Sequence, residues 1–349
     1  MNGARRRQLL LFALALACGA SQARRPATAP YAGRPDVRAF IDTLASEHRV
    51  PRGWVERVLA TGRRSERAER LMTPSLTPPA RDWTRYRARA LDEIRLREAM
   101  AYQETHRRTL ARASADFAVP PEIVVAIIGI ETVFGRVMGA FRTLDVLLTL
   151  AFDYTRRAAF YRDELAHFLL LGHEGRIDVL KQTGSFAGAI GLPQFMPSSI
   201  RRYALDYDGD GRLDLVRSSA DAIGSVANYL RQHGWQPGRP VMFDAIANEA
   251  IAEQLGRGIT PQRSWAEVAD LGVRIDGYLS PDAPVLLLDL PYLQEDGSEG
   301  VTYRIGTANL ASILQYNRSY FYGAAVAEFA ATLRMRAEAQ RAPAAEGDG

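Results

Sequence analysis

Residues 120–132 read Pro-Pro-Glu-Ile-Val-Val-Ala-Ile-Ile-Gly-Ile-Glu-Thr, an apolar run that opens on two prolines and ends beside one carboxylate. Proline is tolerated in the first turn of a helix, where its missing N–H has no intrahelical partner. Apolar side chains at nearly every following position predict a helix that is buried on all sides, since a surface helix would keep one polar face. The stretch therefore predicts a central helix in a mainly helical protein.

Glu131 stands near the end of this helix, with isoleucine and valine side chains around it. Burial disfavours the charged form of a carboxyl group, and the partial negative charge at a helix C-terminus acts in the same direction. We therefore predict a raised pKa, which suits a general acid. The competing interpretation is a surface glutamate that is solvated or paired with Arg136 or Arg142.

Further along the chain, residues 184–195 read Gly-Ser-Phe-Ala-Gly-Ala-Ile-Gly-Leu-Pro-Gln-Phe. This density of glycine predicts a loop with unusual backbone conformations. Ser185 and Gln194 are two polar side chains of this loop that could face the carboxylate. The alternative is a structural role, in which Ser185 is a turn residue and Gln194 holds the loop through hydrogen bonds to its backbone.

The chemistry open to Glu131 depends on whether it has a second carboxylate as partner. Most glycosidases use two carboxyl groups, one as acid and one as base or nucleophile. Asp145 and Asp153 lie on the following helical stretches, but their pattern is more typical of helix-face or capping charges. One carboxylate is enough if the substrate supplies its own hydroxyl nucleophile, because the same group can then act first as acid and then as base.

Helical periodicity extends over much of the chain and changes only late. Apolar residues at three- and four-residue steps begin at Asp36, and one long pattern rich in Arg and Glu covers 83–113. From about 240 to 306, short β-branched runs separated by Gly, Pro and Asp predict strands. We predict a mainly α, α+β protein with a helical subdomain at 36–115. Its core at 116–335 would contain the small β element.

Residues 1–23 are predicted to be an export signal. Arg5-Arg6-Arg7 is a basic start, and the apolar run from Leu9 to Ala17 is too short to span a bilayer. Cleavage after Ser21-Gln22-Ala23 would give a soluble protein. Alternatively, the lipobox-like Ala15-Leu16-Ala17-Cys18 would give Cys18 a lipid that attaches the protein to the outer membrane.

The two ends of the chain, the net charge and the cysteine content limit the possible domain boundaries, partners and chemistry. Residues 24–35, rich in Pro, Ala and Gly, are predicted to be a linker, and 336–349 a disordered tail. Removing the three arginines of residues 1–23 lowers the net charge from +4 to +1, so we predict no nucleic-acid partner. Cys18 is the only cysteine, which excludes an intramolecular disulfide, a catalytic thiol and a thiolate metal site.

Several motifs are spread over residues 36–335: Gly129–Thr132, Gly184–Ala189, Gln194–Ser199, Asp221–Tyr229, Trp83, Tyr86, Arg87 and Tyr316–Ser319. Together they resemble the membrane-bound lytic murein transglycosylase B family, glycoside hydrolase family 103. The sequence departs from the family where Leu192-Pro193 replaces the aromatic-glycine pair that often precedes Gln-Phe.

The resemblance implies a lysozyme-like fold and a periplasmic enzyme of a Gram-negative bacterium that acts on peptidoglycan strands. It implies cell-wall turnover by non-hydrolytic cleavage of the MurNAc–GlcNAc β-1,4 bond, which leaves 1,6-anhydro-MurNAc ends. Glu131 would be the sole acid and base. The implied substrate-binding residues are Ser185, Gln194, Tyr229, Tyr316, Asn317 and Tyr322.

Three alternatives to this interpretation stay open. The same bond could be cut by a lysozyme-type muramidase that uses water. The chain could instead be a non-catalytic, calcium-stabilised protein that binds the cell wall. The tyrosines could also be core residues whose hydroxyls find partners inside the protein.

An acidic loop within 206–221 predicts a structural calcium ion and no organic cofactor. In Asp206-Tyr207-Asp208-Gly209-Asp210-Gly211-Arg212-Leu213-Asp214, acids occupy the first, third, fifth and ninth positions and glycine the sixth, as in an EF-hand. Arg217 stands at the twelfth position, where the EF-hand has glutamate. The family motif suggests that Asp221 reaches back instead, with a helix N-cap as the alternative. The predicted ligands are Asp206, Asp208, Asp210, Asp221 and the backbone carbonyl of Arg212.

Overall fold

The computed structural model describes residues 31–75 and 80–341. Helices form most of the fold, preceded by a 3-10 turn at Tyr31–Gly33. The α-helices are α1 (Pro35–His48), α2 (Arg52–Ala60), α3 (Glu66–Met72), α4 (Trp83–Ala90), α5 (Glu93–Thr105), α6 (Arg107–Phe117), α7 (Pro121–Thr132), α8 (Thr143–Phe152), α9 (Ala158–His173), α10 (Pro197–Tyr203), α11 (Ser219–Gln232), α12 (Glu249–Leu255), α13 (Trp265–Asp270), α14 (Ala308–Tyr316) and α15 (Tyr320–Arg341). The strands are β1 (Phe141–Arg142), β2 (Thr183–Gly184), β3 (Met242–Ile246), β4 (Arg263–Ser264), β5 (Arg274–Ile275), β6 (Pro284–Leu293) and β7 (Glu299–Gly306).

The apolar run 120–132 forms α7, the central helix of the fold. It begins at Pro121, and every residue from Ile123 to Gly129 is buried. It packs against α15, α5, α11 and α6, which together cover its whole circumference. This explains why the sequence shows no polar face there. A polar side chain on any side of α7 would be buried without a hydrogen-bond partner, which costs free energy.

The long helical pattern at 83–113 is divided into three helices, α4, α5 and α6. The carboxylate of Asp92 accepts a hydrogen bond from the Arg95 amide at 2.9 Å and so caps the start of α5. A second break falls at His106, whose ring packs on Tyr102 with 4.4 Å between centroids. Because α5 packs on α7 whereas α6 also covers α11, the chain has to turn between them. The periodicity alone does not reveal these turns.

The predicted late β element is an antiparallel five-stranded sheet with strand order β4-β6-β7-β3-β5. β6 and β7 form its long hairpin, in register from Leu286 opposite Gly306 to Leu293 opposite Glu299. β6 is apolar at successive positions because both of its faces are covered. Leu287 packs into the core of the sheet with α13, whereas Leu288 packs against α14. The sheet therefore supports α14 and, through Leu290, α4 and α15.

Both predicted ends of the catalytic region differ from the structure in the residues that are described. The end of the predicted linker 24–35 is packed. Tyr31 is buried, and its hydroxyl donates a hydrogen bond to the Asp153 carboxylate, which Arg34 also binds. At the other end, α15 continues to Arg341 into the predicted tail 336–349. Arg336 there binds Glu93 at 2.8 Å. Residues 1–30, with the predicted signal and Cys18, and residues 342–349 lie outside the described residues.

Among the described helices, no single one combines the length and the apolar character needed to cross a membrane. Only α6 and α7 taken together pass that test, and they are bent by 115° relative to each other.

Candidate active site

Glu131 lies in the last turn of α7 and is partly buried, without an ion pair among residues 31–75 and 80–341. Both arginines that could have neutralised it are occupied elsewhere. Arg136 binds Glu98 at 2.6 Å, and Arg142 binds Asp145 at 2.9 Å. The interpretation of Glu131 as a paired surface residue is therefore wrong.

The pKa of Glu131 is raised to about 7, and burial is the main cause. The phenol of Tyr322 acts in the opposite direction, because its hydrogen bond favours the carboxylate and lowers this pKa. That hydroxyl is buried and forms no hydrogen bond of standard geometry in the described part of the chain, so it acts on the Glu131 carboxylate from a longer distance. Glu131 is thus a carboxyl group that can both donate and accept a proton near neutral pH.

The backbone directly after Glu131 is strained. Val133 and Phe134 have φ angles of 49° and 55°, in the left-handed region that β-branched and bulky residues rarely adopt. The turn is held because the ring of Phe134 folds back onto Gly129. A Cβ atom on that glycine would lie 2.7 Å from the ring. Strain of this kind persists only where the surroundings determine the conformation, which is common at functional sites.

Thr132 connects the helix of Glu131 to the glycine-rich loop. Its fully buried hydroxyl lies 3.1 Å from the Leu192 carbonyl oxygen and 3.2 Å from that of Ile128, and it accepts from the Gly135 amide at 3.1 Å. The two stretches singled out in the sequence are therefore joined by one side chain that neighbours Glu131.

We expect Thr132→Val to loosen this connection. Valine keeps the shape but leaves the buried Leu192 carbonyl and Gly135 amide without this partner, at a cost of about 1–3 kcal/mol. Urea unfolding should show the loss of stability, and cleavage of purified sacculi should fall with it. Thr132→Ser keeps the hydroxyl and is the matched control. Equal stability and activity of Thr132→Val and the parent protein would contradict the connection.

The glycine-rich loop lies against the segment that follows Glu131. A Cβ atom on Gly139 would lie 2.2 Å from the carbonyl oxygen of Gly184, so the two backbones meet at van der Waals contact. Beside this contact, the Ser185 hydroxyl accepts hydrogen bonds from the amides of Ala187 at 3.3 Å and Ala189 at 3.0 Å. Ser185 thus closes its own turn and keeps its hydroxyl proton for a further acceptor.

Gln194 is held in a left-handed conformation with φ of 50°. Its side-chain amide donates to the Gly191 carbonyl at 2.9 Å and to the Met138 carbonyl at 3.3 Å. Gln194 therefore ties the loop to the segment after α7, as the structural alternative expected. Its side-chain oxygen is left as the acceptor for another group.

An aromatic cluster closes the site on the side of α14 and α15. The rings of Tyr316 and Tyr322 lie 6.4 Å apart and nearly parallel, and Tyr229 packs on Tyr316 at 4.8 Å. Burial raises the pKa of both Tyr316 and Tyr322, and the negative charge of Glu131 adds to it. The structure thus brings two of the three predicted tyrosines close to the carboxylate.

Tyr229 is a correction to the predicted substrate-binding set. It is only 6% exposed, and its hydroxyl donates to the Gln315 carbonyl at 2.8 Å. Its position under Tyr316 makes it a support for that ring, because a core tyrosine with a satisfied hydroxyl has no free surface for a sugar. Tyr316 in turn donates its hydroxyl to the Pro193 carbonyl in the glycine-rich loop.

The remaining aromatic and polar neighbours lie at the edge of the site. Asn317 is exposed, and its side-chain oxygen accepts from the Ser319 amide at 3.2 Å. Tyr86 on α4 was matched in the sequence only as part of a motif. Burial is the main cause of the raised pKa of Tyr86, and the negative charge of Glu131 adds to it. Tyr86 is thus a further side chain near Glu131, and its partly buried ring packs on Phe321 with 5.5 Å between centroids. The motif match of Tyr86 was the sequence signal that could have assigned this residue to the site.

Neither candidate second carboxylate is free to act. Asp145 binds Arg142 and accepts from the Arg63 amide at 2.9 Å, and Asp153 binds Tyr31 and Arg34. The sequence interpretation overlooked Glu164, which is 2% exposed with a pKa raised mainly by burial. Its two oxygens accept from the amide and hydroxyl of Ser198 at 2.8 and 2.7 Å. Glu164 therefore holds the start of α10.

The acidic loop brings three of its predicted ligands together. Carboxylate oxygens of Asp206, Asp208 and Asp210 lie within 4.8 Å of one another, and all three residues are exposed. Asp206 also accepts from the amides of Gly209 and Gly211 at 2.9 and 2.8 Å, which folds the loop around it. An oxygen-only set of this kind suits a hard cation such as calcium.

Asp221 is not part of this group, which corrects its prediction as a ligand. It is fully buried, and its two oxygens accept from the amides of Tyr207 and Asp214, both at 2.8 Å. It therefore fastens both sides of the loop through the backbone. Nor is it the N-cap of α11, since the Ser218 hydroxyl accepts from the Asp221 amide and takes that place.

Comparison with known proteins places the chain among enzymes. The family model "Transglycosylase SLT domain" matches residues 32–331. The chain is 38% identical over 304 residues to membrane-bound lytic murein transglycosylase B of Escherichia coli K12, a match that covers 85% of this chain and 82% of the relative.

Solved structures agree with this assignment. The catenated lytic transglycosylase SltB1 from Pseudomonas aeruginosa superposes with a TM-score of 0.81 at 37% identity, covering 88% of this chain and 99% of that one. Escherichia coli Slt35 in complex with calcium superposes with a TM-score of 0.76 at 36% identity, covering 88% and 95%.

The fold and the lone carboxylate thus define a lysozyme-like lytic transglycosylase. The chain belongs to the SLT-domain transglycosylase family, and its Escherichia coli relative is named as a lytic murein transglycosylase. The predicted family, fold class and class of activity are therefore confirmed.

Proposed function

We propose that Glu131 alone supplies both proton transfers in a non-hydrolytic cleavage of the MurNAc–GlcNAc β-1,4 bond. The protonated carboxyl group gives its proton to the glycosidic oxygen as the C1–O bond breaks. The resulting carboxylate then takes a proton from the C6 hydroxyl of MurNAc as that oxygen bonds to C1, which yields the 1,6-anhydro end. The supporting observation is the Glu131 pKa of about 7, together with the absence of a second free carboxylate beside it among residues 31–75 and 80–341.

The groups around Glu131 are proposed to hold the sugar in place. Ser185 and Gln194 each keep one hydrogen-bonding group free after their backbone contacts, a hydroxyl proton and a carbonyl oxygen. Tyr316 offers its partly buried ring beside the carboxylate, and Asn317 is an exposed polar group nearby. Tyr322 is only 2% exposed, so it would act on the Glu131 carboxylate through its hydroxyl and support the Tyr316 ring from behind, without contacting the sugar. Such alternation of rings and polar groups suits a sugar, which has apolar faces and many hydroxyls.

The products distinguish this reaction from hydrolysis by water. Mass spectrometry of the muropeptides released from purified sacculi should show ends lighter by one water molecule than the products of a muramidase. Reducing ends of full mass as the main product would support the water-using alternative, because water can replace the C6 hydroxyl at the same step. Pre-reduction of the sacculi removes pre-existing reducing ends and serves as the control.

We propose further that the acidic loop binds one calcium ion in a structural role. Asp206, Asp208 and Asp210 would contribute carboxylate oxygens and Arg212 its backbone carbonyl. Asp221 would act behind them by fixing the loop. Support comes from the convergence of the three carboxylates, whose mutual repulsion a cation would relieve. The calcium complex of the similar Escherichia coli Slt35 agrees with this proposal.

We expect added calcium to stabilise the protein and Asp208→Ala to remove this effect. At a calcium concentration of 100 times Kd, the gain in unfolding free energy is about 2.7 kcal/mol, measurable as a rise in Tm. Magnesium should give less, since it demands a smaller octahedral site. The exposed Asp270→Ala outside the loop should keep the full shift. An unchanged Tm of the parent protein with calcium would contradict the site.

We propose a periplasmic location with two possible forms, soluble or anchored at the outer membrane through Cys18. The membrane-bound relative supports attachment, and the basic and apolar pattern of residues 1–17 supports export. Labelled palmitate fed to cells would be incorporated into the parent protein and not into Cys18→Ser if the lipid is present. Absence of label from both, with cleavage after Ala23, would establish the soluble form.

A further inference from the structure

The glycine-rich loop ends in a tight turn at residues 190–195, which we call the loop tip. The Ile190 amide donates to the Phe195 carbonyl at 2.8 Å, and the Phe195 amide donates to the Ile190 carbonyl at 3.1 Å. Between them, the Gln194 amide donates to the Gly191 carbonyl at 3.1 Å. Gln194 has a φ angle of 50°, a left-handed conformation that costs free energy in a residue with a Cβ atom. The loop tip keeps this conformation only if its surroundings hold it.

Three segments hold the loop tip by the backbone of its two central residues, Leu192 and Pro193. The Leu192 amide donates to the carbonyl of Leu215 in the acidic loop at 2.8 Å. The Leu192 carbonyl lies 3.1 Å from the Thr132 hydroxyl at the end of α7. The Pro193 carbonyl accepts from the hydroxyl of Tyr316 at the end of α14. Because proline has no N–H, these two residues offer three backbone polar groups, and each of the three has a partner.

The Tyr316 hydroxyl acts on the peptide group that joins Pro193 to Gln194. The Pro193 carbonyl and the Gln194 amide belong to one planar unit, so fixing the carbonyl also fixes the direction of the amide. That amide closes the turn onto Gly191, while the Gln194 side chain donates to the carbonyls of Gly191 and Met138. The Tyr316 bond therefore helps to set where the side-chain oxygen of Gln194 lies.

The ring of Tyr316 holds this hydroxyl in a fixed place. The ring packs on Phe195 with 5.6 Å between centroids and on Tyr229 with 4.8 Å. It also lies nearly parallel to the ring of Tyr322, whose hydroxyl acts on the Glu131 carboxylate. One side chain thus connects the support of the acid to the loop tip.

We propose that the Tyr316 hydroxyl is a positioning group, which acts on the sugar through Gln194 and does not bind the sugar itself. Its proton is used by the Pro193 carbonyl, whereas the Gln194 side-chain oxygen is left available to accept from a sugar hydroxyl. A misplacement of about 1 Å can cost about 10²-fold in rate, so a small shift of the loop tip matters. This inference rests on the proposed function, because it assigns Gln194 to the sugar whose glycosidic bond Glu131 cleaves.

A double-mutant cycle on the full mature chain tests this arrangement. Tyr316→Phe keeps the ring and removes the hydroxyl, and Gln194→Met keeps the length of the side chain and removes its amide. Each variant alone should lower kcat on soluble glycan strands by about tenfold or more, because the sugar is misplaced relative to Glu131. KM should change less, since a long strand keeps its other contacts.

The double variant gives the decisive rate. If the hydroxyl acts through Gln194, adding Tyr316→Phe to Gln194→Met should lower kcat by no more than about twofold, because coupled residues are not additive. Losses that multiply in the double variant would overturn the proposal, since the hydroxyl would then act on the sugar or the acid independently of Gln194.

The position of the loop tip gives a measurement that does not depend on cleavage. The side-chain amide signal of Gln194, identified in a 15N spectrum by its loss in Gln194→Met, should move in Tyr316→Phe toward the shift of a solvent-exposed amide. Recording each spectrum below the Tm of the variant keeps a loss of stability from affecting the result. An unmoved signal in Tyr316→Phe would overturn the proposal, whatever the rate.

Tyr320→Phe is the matched control for both measurements. It removes a hydroxyl that donates to the Gly258 carbonyl at 2.7 Å, an equivalent bond in the segment between α12 and β4. We expect the Gln194 signal and kcat of Tyr320→Phe to equal those of the parent protein. An equal loss of kcat in Tyr320→Phe and Tyr316→Phe would count against the proposal, because any lost tyrosine hydroxyl would then have the same effect.

The outcomes separate this inference from the proposed function. Full-mass reducing ends from the parent protein would contradict non-hydrolytic cleavage, whereas the coupling between Tyr316 and Gln194 would still be measured from the rate at which those ends form. Anhydro ends from the parent protein, combined with multiplying losses in the double variant, would overturn the inference alone.

Discussion

Glu131→Gln is expected to abolish cleavage of peptidoglycan while leaving the protein folded. Glutamine matches the size of the side chain but neither donates nor accepts a proton at neutral pH. Proton transfer by one positioned group contributes about 10²–10⁴-fold to a rate. Because one carboxyl group is proposed to act as both acid and base, we expect a loss at or beyond the upper end of that range. Release of soluble muropeptides from sacculi is the measurement.

The free energy of unfolding of Glu131→Gln provides a second measurement. The raised pKa of Glu131 determines whether the variant is more or less stable than the parent protein at a given pH. The folded protein holds the Glu131 proton up to about pH 7, whereas the unfolded chain releases it near pH 4.5. Ionisation in the folded state therefore costs free energy that grows between these two pH values, up to about 3 kcal/mol. Glu131→Gln removes this cost, so it should be more stable than the parent protein at pH 8 and about equally stable at pH 4.

Two further variants separate catalysis from other roles of carboxylates. Asp145→Asn removes the charge of one of the two candidate second carboxylates but keeps an acceptor for the Arg63 amide, and it should retain activity. Retained binding of Glu131→Gln to sacculi without cleavage supports an enzyme. Full activity of Glu131→Gln would disprove the proposed mechanism, and an inactive parent protein that still binds sacculi would favour the wall-binding alternative.

Tyr322→Phe is expected to raise the pKa of Glu131 above its present value of about 7. The Tyr322 hydroxyl favours the carboxylate, and it is buried without a hydrogen bond of standard geometry in the described residues. A fully formed hydrogen bond to a charged group contributes about 1.5–3 kcal/mol, so this longer contact should contribute less, and we expect the pKa to rise by up to about one unit. The alkaline limb of the pH–rate profile should therefore move upward.

The rate below the new pKa should fall at the same time. Without Tyr322 the carboxylate formed after protonation of the leaving group loses its stabilising donor, so the first step becomes harder. Tyr320→Phe on the same helix is the matched control, since that hydroxyl bonds Gly258 away from Glu131. A pH profile of Tyr322→Phe that superposes on that of Tyr320→Phe would exclude the proposed contact.

Some elements were predictable because their signal is local. The apolar run from Ile123 to Ile130 predicts a buried helix from side-chain character alone, and the β6 and β7 runs predict strands in the same way. The short helices α3, α10, α12 and α13 were not predicted. Each has only six or seven residues, too few to show a period, and they depend on caps such as Ser65 or Asn248 and on tertiary packing.

Sequence motifs predicted which residues lie at the site more successfully than they predicted what each side chain does there. Ser185, Gln194 and Tyr229 were all expected to face the sugar, yet the structure uses the side chains of the first two partly for backbone contacts and buries the third. Asp221 likewise turned from an expected ligand into a buried acceptor of backbone amides. A motif records which residue types recur together, whereas the direction of each side chain depends on distant backbone groups.

The sequence by itself determined a helical transglycosylase with a lone carboxylate at the end of its central helix and an acidic loop of EF-hand spacing. These features follow from periodicity, composition and motif, which neighbouring residues define. Only the tertiary structure decided that Arg136 and Arg142 leave Glu131 unpaired, that Thr132 joins its helix to the glycine-rich loop, and that Tyr322 opposes its raised pKa. Those facts depend on burial and on hydrogen bonds between segments far apart in the chain. Tertiary packing brings these segments together, and the local sequence does not show it.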